Sequence, residues 1–464
     1  MKLTQFSFTL LTFCLALISG TKAVEAASLT TIVDGISNAR GISFGPDGSL
    51  YVGEPGIGGN GNCQASPSTI FQPICAGNTG SIVKVTPDGK KERIFENSQS
   101  LAEQPSGNQG AGPQELAFDS QGSAYLLTGF AGYPGNRDAE ASALGATIEL
   151  TPAQASIFSA SSADQLLNSP DLAKLSKADL ATGELTTIFD FATYELSNNP
   201  DGGDLITNPY DLTISGDTAY VIDGGGNTAY SIKLDGSDSK AIPIPKKIIE
   251  NPEFPPLPPG VELPPGLVEF VPPEPGSPEG QPPRIAIQSV PTGGAVGPDG
   301  KLYVGEYSGF PYPEDQSRIL TIGEDGKPEV FADGFTHITD INFDKDGNLL
   351  VLQFSDESQL EGNGDITNLP GSLIKLASDG TRTTLVAAGE GLVSADGLTI
   401  GPDDQIYVTV RGVGPGNGAV VRVDNLEEVP EPSSVLGLLA FGALGGGTWL
   451  KRKRKQLANK VKAF

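Results

Sequence analysis

Short apolar stretches separated by polar turns recur along most of the chain, and six of them follow one template. Each copy is an apolar strand, a turn built on Gly and Asp, and a second strand with an aromatic or aliphatic pair. The copies are ISFGPDGSLYV from Ile42, LAFDSQGSAYL from Leu116, LTISGDTAYV from Leu212, AVGPDGKLYV from Ala295, INFDKDGNLLV from Ile341 and LTIGPDDQIYV from Leu398. Because glycine readily adopts the positive φ of a tight turn, the pattern predicts six β-hairpins.

A second set of apolar stretches gives each unit two further strands. Its turns lie in SIVKVTPDGK from Ser81, LAKLSKADLATGE from Leu172, AYSIKLDGSD from Ala229, RILTIGEDGK from Arg318, SLIKLASDGT from Ser372 and AVVRVDNLEE from Ala419. Alternation within these strands is weak, as in blades that bury both faces against their neighbours. Repeated four-stranded units are typical of β-propellers. The pattern predicts an all-β, six-bladed, NHL-like β-propeller over residues 27–428.

The sixth unit has no fourth strand of its own before the chain becomes rich in proline at Val429. The segment Leu29–Ile36, LTTIVDGI, is similar to the fourth-strand pieces ELTTIFDF and RTTLVAA. We therefore expect residues near 28–37 to complete the last blade. Such a closure removes two exposed sheet edges at once.

Three long insertions interrupt the repeats. Residues 54–80 contain two cysteines, residues 130–170 are polar and rich in Ala and Ser with a short helix expected around Ser162–Leu167, and residues 242–284 are dominated by proline. The proline-rich insertion is expected to be an extended, solvated loop without a packed core, and a partner-docking arm is the alternative. Long insertions commonly mark the binding face of a scaffold.

Charge limits the partners that this chain can have. The sequence contains 56 acidic and 30 basic residues, with a net charge of −26. Nucleic acid is excluded as a partner because it requires a basic face. An acidic body accepts divalent cations or neutral and cationic partners, and its simplest role is solubility outside the cell.

The N-terminal segment predicts export. Residues 1–26 have Lys2, an apolar run from Phe6 to Ile18, and a small-residue exit at Val24-Glu25-Ala26, which is typical of a secretory signal peptide cleaved after Ala26. An uncleaved anchor is the alternative. In an exported protein, Cys63 and Cys75 within one insertion are expected to form a disulfide, contributing roughly 3 kcal/mol by loop entropy. A metal site is not expected at this pair because no second ligand pair accompanies it.

The C-terminal segment has three ordered parts. Pro430, Glu431 and Pro432 precede an apolar stretch at 435–450, which is long enough for a thin or tilted transmembrane helix, and a basic cluster begins at Lys451. Residues 429–464 resemble the PEP-CTERM sorting tail of Gram-negative bacteria. The resemblance implies recognition by an exosortase, removal of the helix, and transfer to the periplasm, cell envelope or extracellular matrix, so that the protein contacts the membrane only through this helix before processing. A plain C-terminal anchor is the alternative.

Acidic residues recur at aligned positions near the expected axis of the ring. At one position of the innermost strand, the six units carry Gly41, Glu115, Asp211, Gly293, Asp340 and Gly397, with Asp396 one step earlier. Carboxylates from several blades could hold Ca²⁺, so Glu115, Asp211, Asp340 and Asp396 are candidate ligands. The alternative is that these acids accept backbone N–H groups at the strand ends.

Further candidates lie where the second strands end. This position carries Glu54, Thr128, Asp223, Glu306, Gln353 and Val410, the last followed by Arg411. We regard Glu54, Glu115, Asp211, Asp223, Glu306 and Arg411 as candidate binding residues. The single histidine, His337, cannot form a zinc site alone; it is either structural or a base beside Asp340 at the channel mouth. His337 and Asp340 are therefore the only catalytic candidates.

The blade sequences resemble the cyanobacterial ScyD/ScyE family, which is associated with the scytonemin gene cluster. The similar pieces are ARGISFGPDGSLYVGEPG from Ala39, the cysteine loop before GSIVKVTPDG, NPYDLTISGDTAYVIDGGGN from Asn208 and VPTGGAVGPDGKLYVGEYSGFPYP from Val290. The resemblance implies an exported NHL-like propeller that is accessory to periplasmic assembly of an indole-phenol pigment. The proline-rich insertion departs from the family pattern.

Two functional hypotheses follow from these residues. The first is an exported binding or scaffold protein that presents its insertion-bearing face to a small molecule or to an envelope or matrix component. The second is a Ca²⁺-dependent, lactonase-like hydrolase with its site at the channel mouth. The fold alone does not choose between them.

Overall fold

The all-β class predicted from the sequence is confirmed by the structure, a computed structural model. It describes residues 27–70, 72–149, 166–254, 268–273, 282–361 and 365–424. The predicted signal peptide at 1–26, the predicted sorting segment at 429–464 and most of the helix predicted around Ser162–Leu167 lie outside these ranges. Among the helices in the described ranges, none is long and apolar enough to cross a membrane.

The first described strand is β1 (Ser28–Ile36). The strands that follow it in the first half of the chain form three antiparallel sheets. Sheet 1 contains β2 (Ile42–Phe44), β3 (Leu50–Glu54), β4 (Cys63–Ala65), β5 (Pro73–Val85) and β6 (Lys91–Glu103). Sheet 2 contains β7 (Pro113–Phe118), β8 (Ala124–Thr128), β9 (Lys174–Ala178) and β10 (Leu185–Asp190). Sheet 3 contains β11 (Pro209–Ser215), β12 (Thr218–Asp223), β13 (Thr228–Lys233) and β14 (Ser239–Pro243).

The second half of the chain adds three similar sheets and a small one. The small sheet contains β15 (Lys247–Glu250), β16 (Glu269–Phe270) and β17 (Arg284–Ile287). Sheet 4 contains β18 (Pro291–Val296), β19 (Leu302–Glu306), β20 (Ser317–Ile322) and β21 (Pro328–Phe335). Sheet 5 contains β22 (Ile338–Phe343), β23 (Leu349–Gln353), β24 (Ser372–Leu376) and β25 (Arg382–Val386). Sheet 6 contains β26 (Leu398–Ile400), β27 (Ile406–Val410) and β28 (Gly418–Asp424).

Sheet 6 takes its fourth strand from the other end of the described chain. Strand β1 pairs antiparallel with β28, from Ser28 opposite Asp424 to Ile36 opposite Gly418. The two ends of the described chain therefore lie side by side. The first strands of the six sheets also lie against one another in sequence, and β2 contacts both β7 and β26.

The turns between the first and second strands use the conformation that the sequence predicts. Glycine has positive φ in five of these turns, at Gly48, Gly122, Gly216, Gly300 and Gly347. Asp404, with φ of 60°, takes this position in the sixth copy, where the sequence reads PDD. Asp tolerates the left-handed region better than most side chains because its short polar group bonds locally.

The hydrophobic core is divided among the interfaces between neighbouring sheets. Each second strand β3, β8, β19, β23 and β27 is buried along its whole length. One cluster joins Val33 and Ile36 of β1 to Ile42, Val52 and Val83 of sheet 1. Because both faces of each sheet are covered, the strands need apolar residues on both sides, which explains their weak alternation.

The insertions carry further ordered structure. Helix α1 (Ala139–Gly145) lies within the polar insertion, and helix α2 (Phe191–Asn198) directly follows β10. Turns of 3₁₀ helix occur at Pro67–Thr69, Pro134–Asn136 and Ile366–Asn368. The expectation that the proline-rich insertion lacks a packed core is wrong for its two ends. There, β15 and β17 pair, and Ile249, Ile285 and Ile287 form a small buried cluster.

Candidate functional site

A cavity of about 210 Å³ lies where the six sheets converge. We call its base the lining residues that lie in, or directly before, the first strands of the sheets, and its rim the lining residues of the cysteine insertion and of other loops between strands. The base residues are Arg40, Gln114, Tyr210, Thr292 and Asp396. The rim includes Pro67, Ser68 and Ile70 of the cysteine insertion, together with Asp204, Ile206, Gln288, Phe310, Tyr312 and Ile366.

A buried ion pair crosses the base of this cavity. The Arg40 guanidinium lies 2.8 Å from Asp396 Oδ2 and donates a 2.9 Å bond to the Gly412 carbonyl. The Tyr210 hydroxyl donates to the same Asp396 oxygen at 2.5 Å, and the Tyr210 ring lies 5.6 Å from the guanidinium carbon. Burial raises the pKa of Asp396. The positive charge of Arg40 and the hydrogen bond from the Tyr210 hydroxyl offset part of that rise. The base of the cavity is therefore polar, but it has no net charge because Arg40 and Asp396 neutralise each other.

Two polar atoms at this base have no hydrogen-bond partner among the residues that the structure describes. Arg40 Nε, a donor, and Gln114 Oε1, an acceptor, are both buried and make no hydrogen bond. Their side chains are only 7% and 1% exposed. Because an unpaired buried polar atom costs free energy, these two atoms, which belong to residues that line the cavity, favour a ligand or water that approaches them.

One wall of the cavity is aromatic. Tyr307, Phe310, Tyr312 and Phe354 all line it. Tyr307 lies edge-on to Tyr312 and to Phe354, with ring centroids 6.4 Å and 5.8 Å apart. Burial raises the pKa of Tyr312 to about 12, so this hydroxyl stays neutral at physiological pH. The wall offers ring edges and faces to a ligand and no charge.

His337 supports this wall from behind and is not among the residues that line the cavity. Its ring stacks on Tyr307 at 4.5 Å, with an angle of 11° between the planes. Nε2 accepts from the Gln359 amide at 3.3 Å, so Nδ1 carries the proton and donates to the Tyr307 carbonyl at 3.0 Å. Burial lowers the pKa of His337 to about 4. A neutral imidazole with both nitrogens occupied acts as a positioning group for Tyr307.

The aligned acids join successive sheets through backbone hydrogen bonds. Glu115 Oε2 accepts from the Leu212 amide at 3.1 Å, Asp211 Oδ2 from the Gly294 amide at 2.7 Å, and Asp340 Oδ2 from the Leu398 amide at 2.6 Å. Glycine replaces the acid where the next sheet needs the space. A Cβ at Gly41 would lie 2.7 Å from Glu115 Cβ, and one at Gly293 would lie 2.7 Å from Asp340 Cα.

We interpret these acids as sharing a proton, because burial and their mutual charges disfavour ionisation. Burial, reinforced by the charges of Asp211 and Asp340, raises the pKa of Glu115 far above its usual range. Burial likewise raises the pKa of Asp340, and it raises that of Asp211 to about 7. In the described part of the chain, no group of three or more His, Cys, Asp or Glu side chains is placed to hold a metal ion. The expected alternative, in which the acids accept backbone N–H groups, describes the observed contacts.

Replacing Asp211 with asparagine is expected to stabilise the protein at high pH. Because the folded protein keeps a proton on Asp211 up to about pH 7, while the unfolded chain releases it near pH 4, this residue lowers the free energy of unfolding as pH rises between these values. Asp211→Asn keeps an acceptor for the Gly294 amide. Urea unfolding should show about 1–3 kcal/mol of added stability at pH 8 and none at pH 4.5.

Asp47→Asn is the control of opposite sign, because the Ser49 amide and Lys84 lower the pKa of Asp47 despite its partial burial. This variant should lose stability at pH 8. A loss of stability for Asp211→Asn at pH 8 would show that the carboxylate must be ionised, as a metal ligand is, and would refute the proton-sharing interpretation.

The other sequence candidates have partners within the protein. Glu54 accepts from Arg93 Nε at 2.6 Å and from the Ser37 amide at 2.9 Å, and Glu306 accepts from Arg318 Nη2 at 2.6 Å. Asp223 accepts from Thr207 and from the amides of Asn208, Gly225 and Gly226. Arg411 is exposed in the loop after β27. None of these four side chains is among the residues that line the cavity.

The cysteine insertion reaches the cavity through its loop. A disulfide joins Cys63 of β4 to Cys75 of β5, which pair directly across the two strands. The loop between them contributes Pro67, Ser68 and Ile70 to the rim. The disulfide thus joins the two strands that flank this segment of the rim and closes it into a loop.

Most of the cavity residues at the base lie one position before the residues that the sequence alignment selected. The cavity residues Arg40, Gln114, Tyr210 and Thr292 directly precede Gly41, Glu115, Asp211 and Gly293, and Asp396 directly precedes Gly397. Successive side chains of a strand point to opposite faces. Of the four candidate Ca²⁺ ligands, only Asp396 is among the residues that line the cavity, and it is the one acid that stands a step before the aligned position.

Comparisons with known proteins concern the tail and the fold. Residues 428–455 match the PEP-CTERM protein-sorting motif. The tail predicted from Pro430, Glu431 and Pro432 is thereby confirmed, and such a motif implies an exported protein that an exosortase recognises. No curated protein sequence is significantly similar to the chain.

Solved structures with a general likeness of fold are propellers. A gluconolactonase of Xanthomonas campestris is 11% identical, with 86% of this chain and 89% of that chain covered and a TM-score of 0.43. A streptogramin B lyase is 11% identical, with 87% and 100% covered and a TM-score of 0.41. The calcium-binding protein regucalcin of Agrobacterium tumefaciens is 11% identical, with 86% and 94% covered and a TM-score of 0.44.

Proposed function

We propose that this protein is an exported binding protein whose cavity takes up a small, uncharged, aromatic molecule. The six sheets then act as the blades of one closed, NHL-like ring, with β1 completing the last blade. The cavity lies at the centre of this ring, and the PEP-CTERM tail directs the protein to the cell envelope or extracellular matrix. There it acts as a scaffold or carrier for its ligand.

The observation that carries this proposal is the pairing of an aromatic wall with two unpartnered polar atoms. Tyr307, Phe310, Tyr312 and Phe354 provide the wall, while Arg40 Nε and Gln114 Oε1 offer one donor and one acceptor. Because Asp396 balances the charge of Arg40, a charged ligand gains little here. The cavity exceeds the roughly 150 Å³ that suffices for benzene in an apolar protein core, so it has room for a one- or two-ring molecule.

This ligand class is compatible with a role beside secondary-metabolite assembly. The resemblance to the ScyD/ScyE family points to an indole-phenol pigment, and an uncharged aromatic precursor with one N–H or O–H donor suits the cavity described above. We therefore propose that the protein binds such a precursor or its product after export. The proposal concerns binding and assigns no covalent step.

The Ca²⁺-dependent hydrolase is the less favoured candidate. Its ligands would be Glu115, Asp211, Asp340 and Asp396, but the first three accept backbone amides and the fourth is paired with Arg40. His337, the candidate base, has both ring nitrogens engaged. Each of these described candidates is therefore already engaged within the protein, and none of them is free to activate water as a base.

Replacing Gln114 with leucine is expected to weaken ligand binding without harming the fold. The change removes the unpartnered acceptor and keeps a side chain of similar size, so stability should stay equal or rise by about 1 kcal/mol. Calorimetric titration with indole and with p-cresol, which are uncharged aromatic probes with one donor each, should show binding that falls about tenfold in the variant.

The matched control is Gln99→Leu, since Gln99 Oε1 accepts from the Asp171 amide outside the cavity. This variant should bind both probes as the wild type does. The proposal fails if neither probe binds the wild-type protein, or if Gln114→Leu binds both with unchanged affinity.

A further inference from the structure

The net charge of the cavity comes from one carboxylate at its rim. Arg40, Asp204 and Asp396 are the charged side chains among the residues that line the cavity. Arg40 and Asp396 are paired at 2.8 Å, so their charges cancel. In the described part of the chain, none of the ion pairs includes Asp204. The half-buried Asp204 therefore leaves an uncompensated negative charge beside the ligand site.

A network of side-chain amides holds Asp204 in place. The Asn227 amide nitrogen donates to Gln288 Oε1 at 2.6 Å, and Asn227 Oδ1 accepts from the Val290 amide at 3.0 Å. These bonds fix the orientation of the Gln288 amide, whose Nε2 donates to Asp204 Oδ2 at 3.2 Å. Among the described residues this is the single bond that the carboxylate accepts, although a carboxylate has room for about four. Asp204 is thus positioned without being neutralised.

The same network connects Asp204 to the aromatic wall. Three backbone hydrogen bonds join residues 307–309 to residues 288–290, from Tyr307 to Val290, from Ser308 to Ser289 and from Gly309 to Gln288. Phe310, which lines the cavity, follows directly in this loop. One glutamine side chain therefore links the Asp204 carboxylate to the loop that carries the wall, and a ring bound against the wall has its substituents near this charge.

A second acid strengthens the negative potential on this side of the cavity. Asp201 belongs to the same network, because the Asn227 amide also donates to Asp201 Oδ2 at 3.0 Å. Burial raises the pKa of Asp201, and the charge of Asp204 adds to that rise. Lys246 acts on Asp201 in the opposite direction, but its ammonium group is paired with Glu269 at 2.7 Å. A negative charge carried by a ligand is therefore repelled at this part of the rim.

We propose that Asp204 is a specificity-determining residue, which excludes aromatic carboxylates and so restricts the cavity to ligands without a negative charge. The inference rests on the proposed function, because it concerns the ligand of the same cavity. Exclusion by a repulsive element is a common source of specificity, and it does not require a new attractive contact. Two like charges about 7 Å apart near a protein surface repel each other enough to weaken binding roughly tenfold or more.

Calorimetric titration with three probes that share one ring system tests this role. 3-Methylindole is neutral, indole-3-acetate carries a carboxylate, and tryptamine carries an ammonium group. The wild-type protein should bind 3-methylindole about tenfold more tightly than indole-3-acetate. In Asp204→Asn, which keeps an acceptor for Gln288, this ratio should fall below about threefold, and tryptamine should bind more weakly than to the wild type. Raising NaCl from about 50 mM to about 500 mM should lower the wild-type ratio, because salt screens a half-exposed charge.

Two further variants separate the charge of Asp204 from its shape and from the overall charge of the protein. Asp204→Glu keeps the charge and should keep the wild-type ratio. Asp179→Asn removes one negative charge outside the cavity, where Asp179 accepts from the amides of Ala181 and Thr182, and should also keep the ratio. Because the ratio compares two probes on one variant, a partial loss of folded protein cancels.

The inference is overturned if 3-methylindole binds and Asp204→Asn keeps the wild-type ratio. It is also overturned if this variant shifts the affinities for indole-3-acetate and tryptamine in the same direction, because a change of charge must move them oppositely. In both cases the proposed function stands. If the wild-type protein binds none of the three probes, the proposed function fails and this inference fails with it.

Discussion

Removing residues 27–37 is expected to abolish the cooperative unfolding of the protein. Strand β1 supplies the outer strand of sheet 6, and its Val33 and Ile36 belong to the apolar cluster between sheets 6 and 1. Without it, β28 becomes an exposed edge and the interface between sheets 6 and 1 loses part of its packing. Circular dichroism should show no sharp thermal transition, and limited proteolysis should degrade the truncated chain rapidly.

A circular permutant provides the control for this deletion. Ser28 lies opposite Asp424, so a short turn from Asp424 to Ser28 would place β1 after β28 as an ordinary hairpin. A chain that starts at Asn38 and ends with residues 28–37 should unfold cooperatively, with a midpoint close to that of the parent. If the simple deletion unfolds as cooperatively as the parent, β1 does not close the ring.

Replacing Arg40 with methionine is expected to cost about 3–5 kcal/mol of stability. The variant leaves Asp396, which is 3% exposed, without its ionic partner, and it removes the hydrogen bond to Gly412. Urea unfolding at pH 7 measures the loss. The loss should shrink as pH falls towards 4, because a protonated Asp396 no longer requires the guanidinium.

Two comparisons separate this effect from a general loss of charge. Lys345→Met breaks the fully solvated pair with Asp404 and should leave stability nearly unchanged. Adding Asp396→Asn to Arg40→Met should restore at least half of the lost stability, because the stranded charge is removed. An Arg40→Met variant as stable as Lys345→Met would mean that water reaches the pair and that the cavity base is solvated.

The repeat itself made the strand content predictable. Each hairpin needs a residue with positive φ between two apolar runs, and that requirement leaves a local record at Gly48, Gly122, Gly216, Gly300 and Gly347. The partner of β1 was also predictable, because the final unit lacked a strand and LTTIVDGI had the composition of one. The turns depend on residues that are close in sequence, and the pairing of β1 follows from counting the strands in each repeat.

The candidate site was less predictable because it depends on which face each strand turns inwards. Neighbouring positions of a strand face opposite sides, so the aligned acids Glu115 and Asp211 lie beside Gln114 and Tyr210, which line the cavity, but do not line it themselves. The aromatic wall comes from loops of sheets 4 and 5 whose positions no repeat defines.

The disulfide between Cys63 and Cys75 has a consequence for when the protein becomes competent to bind. The cytoplasm keeps thiols reduced, whereas the compartments beyond the inner membrane allow disulfides to persist. The part of the rim at Pro67–Ile70 is therefore constrained by the disulfide only after translocation. In a newly made chain that is still inside the cell, this part of the rim has no such constraint. Under the proposed function, the binding site would be complete only outside the inner membrane, and the ligand would not be bound in the cytosol.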